Sequence, residues 1–121
     1  MQPIKMEEKK KSKAIGVLRN LYNVEEKDIV TMKSRQSNKI SARKMYNYYL
    51  WKCLGVKHNE MKQHIKSMHH ATSIYLKNNF EFEMDHYSEL KTNWITFLYF
   101  TDKEEWNKLK EIKEAKTNYI I

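Results

Sequence analysis

The sequence predicts an all-α protein, and three observations favour that class. Only two Gly and one Pro occur among 121 residues, far below average usage of about 7% and 5%, so the residues that build tight turns are nearly absent. Lys, a good helix former, is abundant. Apolar residues recur at i, i+3 and i+4, which is typical of amphipathic helices. The length fits one domain of about 100–150 residues.

The N-terminal elements are predicted from charge blocks and periodicity. Residues 1–13 carry charge in runs and are expected to form a flexible basic arm. Apolar residues at helical spacing predict a helix over Ala14–Tyr22, and a short helix is expected over Glu25–Val30. Residues 31–40 are polar, basic and without a period, which predicts a loop.

The next helix has a clear apolar stripe. Ser41 is a suitable N-cap, and Gly55 lies where a residue in the left-handed conformation ends a helix. Tyr48 and Trp51 lie off the stripe, and we expect them either to pack on the C-terminal helices or to be exposed for a partner. The stripe consists of Ala42, Met45, Tyr46, Tyr49, Leu50, Cys53 and Leu54, and the opposite face of Arg43, Lys44, Asn47 and Lys52.

A helix-turn-helix outline follows. A short helix is expected from about Asn59, with Met61 and Ile65 facing inward, and Lys66–Met68 form the turn. A second helix is expected from His69 to Phe80. A short helix, a tight turn and a second helix are the elements of a helix-turn-helix motif.

The last third differs in composition, and residues 81–121 are expected to form an acidic, aromatic-rich extension that packs on the core or on a partner. Asp85 can cap a helix ending at Phe100. Asp102 and Glu105 fit a capping box for a final helix. The inward residues of that helix and the apolar chain end, which could dock on the core or a partner, are Trp106, Leu109, Ile112, Ala115 and Tyr119–Ile121.

Charge is distributed unevenly along the chain. Residues 1–79 carry 17 basic and 6 acidic side chains, whereas residues 80–121 carry 6 basic and 9 acidic ones. Within residues 29–79, Glu60 is the only acid beside ten Lys and Arg. Ordinary surfaces mix both signs, so this segment indicates a polyanionic partner, most often nucleic acid. A lysine bias of the genome is the alternative, but it would affect both parts of the chain.

Several classes of site are not expected. One cysteine, Cys53 on the apolar stripe, allows no internal disulfide and no Cys₄ or Cys₂His₂ zinc site. The five histidines lack a spacing typical of metal ligands, and we expect neither a metal nor another cofactor. No phosphate loop or activated nucleophile is evident, so a non-enzymatic protein is expected. Without an apolar run of membrane length or a signal peptide, the expected location is the cytoplasm.

Four segments in a fixed order follow the pattern of one known domain. They are Tyr22-Asn23-Val24-Glu25-Glu26-Lys27-Asp28-Ile29, the basic loop with Lys33 and Arg35, Ser41-Ala42-Arg43-Lys44-Met45, and His70-Ala71-Thr72. With these segments, residues 14–80 resemble the C-terminal DNA-binding domain of bacterial DnaA-type replication initiators, without the ATPase domain that precedes it there. The resemblance implies a helix-turn-helix fold whose second helix reads DNA, with the loop Arg in the minor groove.

The sequence departs from that family where the family reads bases. The Asp, first Thr and Val of the family's Asp-His-Thr-Thr-Val are His69, Ala71 and Ser73 here. In the family that Asp and Thr contact base edges, so we expect a target other than the usual initiator box.

The candidate nucleic-acid contacts fall into three groups. Arg35 could enter a minor groove or pair with phosphate, and the first turn of the second helix would meet base edges in the major groove. Surrounding lysines would bind phosphate without reading sequence. Against this, His70 could be a cap or packing group, and Thr72 and Arg35 ordinary surface residues. The full set is Lys33, Arg35, Lys39, Arg43, Lys44, Lys62, Lys66, His69, His70, Thr72 and Lys77.

The expected function is therefore binding of duplex DNA, with RNA as a possible ligand, by a small regulator of phage or mobile-element type. The aromatic run from Tyr46 to Trp51 could stack single-stranded bases, although Tyr46 and Tyr49 fit the core. An alternative is an inhibitor or adaptor that binds a nucleoprotein complex, such as a CRISPR effector or replication machinery. It would use the basic surface, with Trp51, Trp94 and Trp106 as partner contacts. A structural virion or scaffold component is a third reading.

Overall fold

The computed structural model describes residues 3–120, and the surroundings of their side chains over residues 7–111. The all-α prediction is confirmed, since the described residues form helices and no strand. The helices are α1 (Pro3–Tyr22), α2 (Glu26–Val30), α3 (Ser37–Lys52), a 3₁₀ helix (His58–Gln63), α4 (His70–His86), α5 (Ser88–Thr101) and α6 (Lys103–Ile120). None of those described is long and apolar enough to cross a membrane.

Helix α3 is the centre of the molecule, in contact with α1, α2 and α4. Tyr46 and Tyr49 are fully buried, as their place on the apolar stripe predicts. The opposite face is also covered, because Arg43 and Asn47 are buried too. Asn47 lies on or beside the face opposite the apolar stripe and is buried all the same, because α4 packs there and Ser73 is its hydrogen-bond partner.

The start of α3 differs from the prediction and its end agrees with it. The helix begins at Ser37, not after a Ser41 cap, because the Gln36 carbonyl already accepts hydrogen bonds from the N–H groups of Lys39 (3.1 Å) and Ile40 (3.0 Å). At the other end, Gly55 adopts a left-handed φ of +72°. The chain reverses there, and Val56 N–H donates to the Leu50 carbonyl at 2.9 Å.

Helix α1 begins at Pro3, whereas periodicity placed the helix start at Ala14 and an arm before it. Proline suits the first helical position, because an N–H group there would have no acceptor within the helix and its absence costs nothing. The arm was expected because residues 7–13 lack an apolar stripe, but good helix formers such as Lys and Glu propagate a helix without one.

Helix α4 runs on to His86, through the expected end at Phe80. Asp85 therefore lies inside α4 and does not cap the next helix, which begins at Ser88. No Gly or Pro interrupts residues 70–86, so nothing in the sequence ends the helix earlier.

Aromatic rings from three helices form the core between α3, α4 and α5. The Tyr48 ring centroid lies 4.6 Å from that of Phe80 and 5.1 Å from that of Trp94, while Trp94 also stacks on Phe97 at 5.6 Å. Tyr48 thus follows the first of its two alternatives and packs on the C-terminal helices. Its hydroxyl donates to Glu81 at 3.1 Å.

The corner between α5 and α6 is fixed by one buried carboxylate. Asp102 accepts a hydrogen bond from the Tyr49 hydroxyl at 2.9 Å and lies 3.5 Å from the Lys10 ammonium. It also accepts the N–H of Glu105 at 3.3 Å, which is the Asp half of the predicted capping box. Trp106 and Leu109 of α6 pack on the core. The predicted contacts of Ile112, Ala115 and Tyr119–Ile121 lie outside the side chains that the structure describes.

Candidate nucleic-acid interface

The 3₁₀ helix, a turn and α4 follow one another in the predicted order. Met61 and Ile65 are fully buried, as expected from their spacing. The turn over Lys66–Met68 includes Ser67 in a left-handed conformation with φ of +69°. This turn directs α4 across α3, with which α4 packs.

A buried polar network joins α4 to α3 and to the 3₁₀ helix. Ser73 donates from its hydroxyl to the Asn47 side-chain oxygen at 2.9 Å, and the Asn47 amide donates to the Ser73 carbonyl at 3.2 Å. His58 Nδ1 lies 2.7 Å from the same hydroxyl and is its donor, because the hydroxyl hydrogen is engaged by Asn47. Burial lowers the pKa of His58, and the neighbouring charges of Lys77 and His70 lower it further.

Sequence reasoning missed this network. In the sequence, Ser73 stands out only as a departure from the initiator pattern, and Asn47 only as a polar residue on or beside the face opposite the apolar stripe. The available signal was a single polar residue, Asn47, inside the apolar and aromatic run from Met45 to Trp51. A buried polar side chain needs partners, and here residue 73 supplies both of them.

The basic loop between α2 and α3 is attached to the turn that precedes α4. Lys66 N–H donates to the Val30 carbonyl at 2.7 Å, and Thr31 and Lys66 form an isolated parallel β-bridge. Residues 31–36 therefore begin beside the entry to α4, although about 35 positions separate the two segments in the sequence.

Arg43 fixes the other side of this loop and is not a surface cation. The residue is only 4% exposed. Its guanidinium donates to the Asp28 carbonyl through Nη2 (2.9 Å) and Nε (3.3 Å), and to the Ser34 carbonyl through Nη2 (3.2 Å). Burial lowers its pKa, and Asp28 partly opposes that effect. Arg43 has a structural role in place of the expected phosphate contact, because the carbonyls of Asp28 in α2 and Ser34 in the loop occupy its Nε and Nη2 donors.

Arg35 lies in the same loop but is exposed. It lines a depression of about 320 Å³ together with Met32, Ile40 and Leu76. Since Leu76 belongs to α4, the loop Arg lies beside the helix that was expected to read bases.

Three of the expected phosphate-binding lysines are engaged within the fold. Lys39 pairs with Asp28 at 3.3 Å, whose pKa is lowered first by the Glu25 N–H and then by Lys39. Lys44 donates to Asn79 at 2.6 Å and pairs with Glu83 at 2.9 Å.

Lys77 pairs with Glu81 at 3.5 Å and lies 4.8 Å from the centroid of the Trp51 ring. The side chain is 22% exposed. Because the ammonium already has a carboxylate and an aromatic face as partners, a phosphate would have to compete with both.

The remaining candidates lie at the surface. Among the remaining candidates, four cations are exposed and pair with no acid of the described residues: Lys33, Arg35, Lys62 and Lys66. His69 and His70 at the start of α4 are exposed, and Thr72 is half-buried. We call the four cations together with the N-terminal turn of α4 the basic surface.

Helix α4 has two sharply different faces. Ser73, Leu76 and Phe80 are buried against α3 and the aromatic core. The opposite face is exposed and carries large side chains, since Ile74 is 39% and Tyr75 65% exposed. We call this face the outward stripe; it consists of Ala71, Ile74, Tyr75, Asn78 and Phe82.

The three tryptophans predicted as partner contacts differ in exposure. Trp94 is only 6% exposed and belongs to the core, because α5 packs its apolar face on α4. Trp51 is half-buried and stacks on His58 at 5.4 Å. Trp106 is half-buried and contacts Tyr99 edge-on at 5.3 Å.

No metal or thiol chemistry is indicated in the part of the chain described by the structure. No three of its His, Cys, Asp and Glu side chains lie close enough to hold a metal ion. Cys53 is half-buried, and its pKa is raised by burial and then by the nearby Glu105 and Asp102. A thiol kept protonated in this way is a poor nucleophile.

Comparison of the chain with protein-family models, curated proteins and solved structures found no match.

Proposed function

We propose that this chain is a non-enzymatic protein that binds duplex DNA through the basic surface, with the start of α4 in the major groove and Arg35 beside it. The observation that carries the proposal is the hydrogen bond from Lys66 N–H to the Val30 carbonyl. It joins the start of the basic loop, which carries Lys33 and Arg35, to the turn before α4, which carries Lys66.

The unpaired charges support a polyanionic ligand. Lys33, Arg35, Lys62 and Lys66 have no acidic partner among the described residues. By contrast, Glu83 of α4 pairs with Lys44 of α3, and Glu81 of α4 pairs with Lys77. Cations left free in one place are suited to phosphate contacts, which position a protein on DNA.

Fluorescence anisotropy with labelled duplex DNA, single-stranded DNA and structured RNA at several salt concentrations tests the proposal. Four phosphate contacts predict a log–log slope of about −4 for duplex binding. We expect duplex DNA to bind more tightly than single strands. Salt-independent or undetectable duplex binding would contradict the proposal, and tighter RNA binding would reassign the ligand.

The replacement Arg35→Ala should weaken duplex binding by about tenfold and reduce the salt slope by about one. Lys66→Ala should have a similar effect on the slope. Lys91→Ala is the matched control, because Lys91 is an exposed cation on α5 outside the basic surface. Equal losses in all three variants would mean that only net charge matters.

A second candidate is an inhibitor or adaptor of a nucleoprotein complex, and exposed aromatic residues favour it. Phe82, Tyr87 and Phe100 are each 57–59% exposed. Large exposed aromatic side chains often anchor protein interfaces. An adaptor would bind isolated nucleic acids weakly and without preference in the same anisotropy assay, and Phe82→Ser with Phe100→Ser would abolish its capture of the complex.

A further inference from the structure

We infer that the outward stripe of α4 reads A·T base pairs in the major groove, with Asn78 contacting adenine and Ala71 and Ile74 contacting thymine methyl groups. The inference rests on the proposed function, and it assigns the sequence class of the ligand. It depends on the Asn and small apolar side chains that the exposed face of α4 carries, and on the absence of a free Arg or Lys from that face.

The geometry of the stripe suits a groove. Ala71, Ile74, Tyr75 and Asn78 follow one another at intervals of three or four residues, so they lie along one line of the helix. All four are exposed, and they lie opposite the buried Ser73, Leu76 and Phe80. A helix anchored by one face presents the other to a ligand without rearrangement of the core.

The chemistry of the stripe excludes the usual guanine readers. Arg and Lys are the side chains that most often contact guanine O6 and N7. Helix α4 contains no Arg, and its single Lys is Lys77. That ammonium lies off the stripe, between Glu81 at 3.5 Å and the face of Trp51. Guanine therefore finds no free cationic donor on this helix.

What the stripe does carry matches A·T pairs. An Asn amide can donate to adenine N7 and accept from adenine N6 at the same time, whereas small apolar side chains contact the thymine C5-methyl group. Asn78 lies one turn beyond Ile74 and two turns beyond Ala71, so all three can face consecutive base pairs. Tyr75 adds exposed aromatic surface between them.

The cations proposed to bind phosphate lie outside the stripe. Lys62 and Lys66 precede α4, and Arg35 lies beside Leu76 on another face of the helix. Phosphate contacts from these residues would be independent of sequence, which leaves discrimination between base pairs to the stripe.

The test begins with selection of preferred sites from a random duplex pool by the full chain, followed by anisotropy on the selected duplex. We expect consecutive A·T pairs at the core of the site, bound about tenfold more tightly than the same duplex with G·C pairs there. Replacing thymine by uracil, which removes only the C5-methyl group, should lose severalfold affinity. Replacing adenine by 7-deazaadenine should do the same.

Substitutions assign the two modifications to residues. Ile74→Ala should make the protein less sensitive to the uracil replacement, and Asn78→Ala should make it insensitive to 7-deazaadenine. Asn107→Ala is the matched control, since Asn107 is an exposed Asn on α6. These side chains are at the surface, and circular dichroism checks that each variant is folded.

The outcomes separate the inference from the proposed function. No binding to any duplex overturns both. Salt-dependent duplex binding without an A·T preference overturns the inference alone. An A·T preference that survives uracil, 7-deazaadenine and Asn78→Ala but is lost in Arg35→Ala comes from the narrow minor groove of A-tracts, and it also overturns the assignment to α4.

Discussion

Two arginines a few residues apart in the sequence have opposite roles at the scale of single residues. Arg35 is exposed, whereas the guanidinium of Arg43 is buried and donates to the carbonyls of Asp28 and Ser34. Both are cations in a basic segment, and nothing in their spacing distinguishes them. The difference arises because α3 begins at Ser37, which puts residue 43 two turns inside the helix and under the loop.

This difference predicts opposite mutational effects. Arg43→Ala leaves the buried Asp28 carbonyl and the partly buried Ser34 carbonyl without this donor and should lower the free energy of unfolding by about 1–3 kcal/mol. Arg35→Ala should change it by less than about 0.5 kcal/mol, as is usual for exposed residues. Urea unfolding of both variants measures the contrast. Equal stability of the two would mean that Arg43 does not fix the loop.

His58 gives stability a dependence on pH. Because its pKa is lowered in the folded state, the unfolded chain takes up a proton first as pH falls below the ordinary histidine value of about 6.5. The contribution of His58 to the free energy of unfolding is therefore complete above that pH, and it declines as the pH falls towards the folded-state pKa. His64, whose pKa burial also lowers, contributes in the same window.

Urea unfolding at several pH values between 7 and 5 measures this decline. His58→Asn keeps a donor near Ser73 without the titration, so its stability should fall less steeply over the same range. Asp28 affects a separate pH range. Because its pKa is lowered in the folded state, its contribution to the free energy of unfolding is lost only below about pH 4. An identical slope in His58→Asn and wild-type protein would contradict the assignment.

At the scale of helices, the sequence predicts which helices exist and in what order better than it predicts the residues where they begin and end. The stop of α3 at Gly55 was predicted because one residue carries the signal. The starts of α1 and α3 were not predicted, because they depend on the backbone conformation at Pro3 and Gln36, and apolar periodicity carries no information about it. The end of α4 was placed too early because the composition becomes acidic after Asn79 and Asp85 could cap a following helix.

The two glycines offer a matched test of that stop signal. Gly55→Ala forces an alanine into a left-handed φ of +72° and should lower the free energy of unfolding by about 1 kcal/mol. Gly16 lies inside α1, and Gly16→Ala should raise it by about 0.5–1 kcal/mol. Neither added methyl group meets an atom within 4 Å. Thermal or urea unfolding should give opposite signs, and a shared sign would contradict the cap.

For the whole molecule, the sequence predicts that a basic segment exists, but it does not predict which of its residues remain free at the surface. The excess of cations between residues 29 and 79 was visible in the sequence. The pairing of Lys44 with Glu83 was not, because it joins residues 39 positions apart. The burial of Trp94 was not visible either, because it results from packing against Tyr48 on another helix.

The C-terminal residues predicted as an extension contribute to the core through α5, and stability should reflect it. Phe97 is fully buried against Tyr49 and Trp94, so Phe97→Ala should lower the free energy of unfolding by about 3–5 kcal/mol. Phe100→Ala, on the same helix but 57% exposed, should change it by less than about 0.5 kcal/mol. Similar losses for both would mean that α5 is not docked through this face.

The two faces of α4 have a consequence for how this protein can change over generations. The side chains that hold the helix, among them Ser73 and Phe80, share no position with those that point away from it. Replacements at Ile74, Tyr75 or Asn78 are therefore close to neutral for folding, while replacements on the other face are purged. Selection can alter what the helix recognises one residue at a time, and each intermediate remains a folded protein.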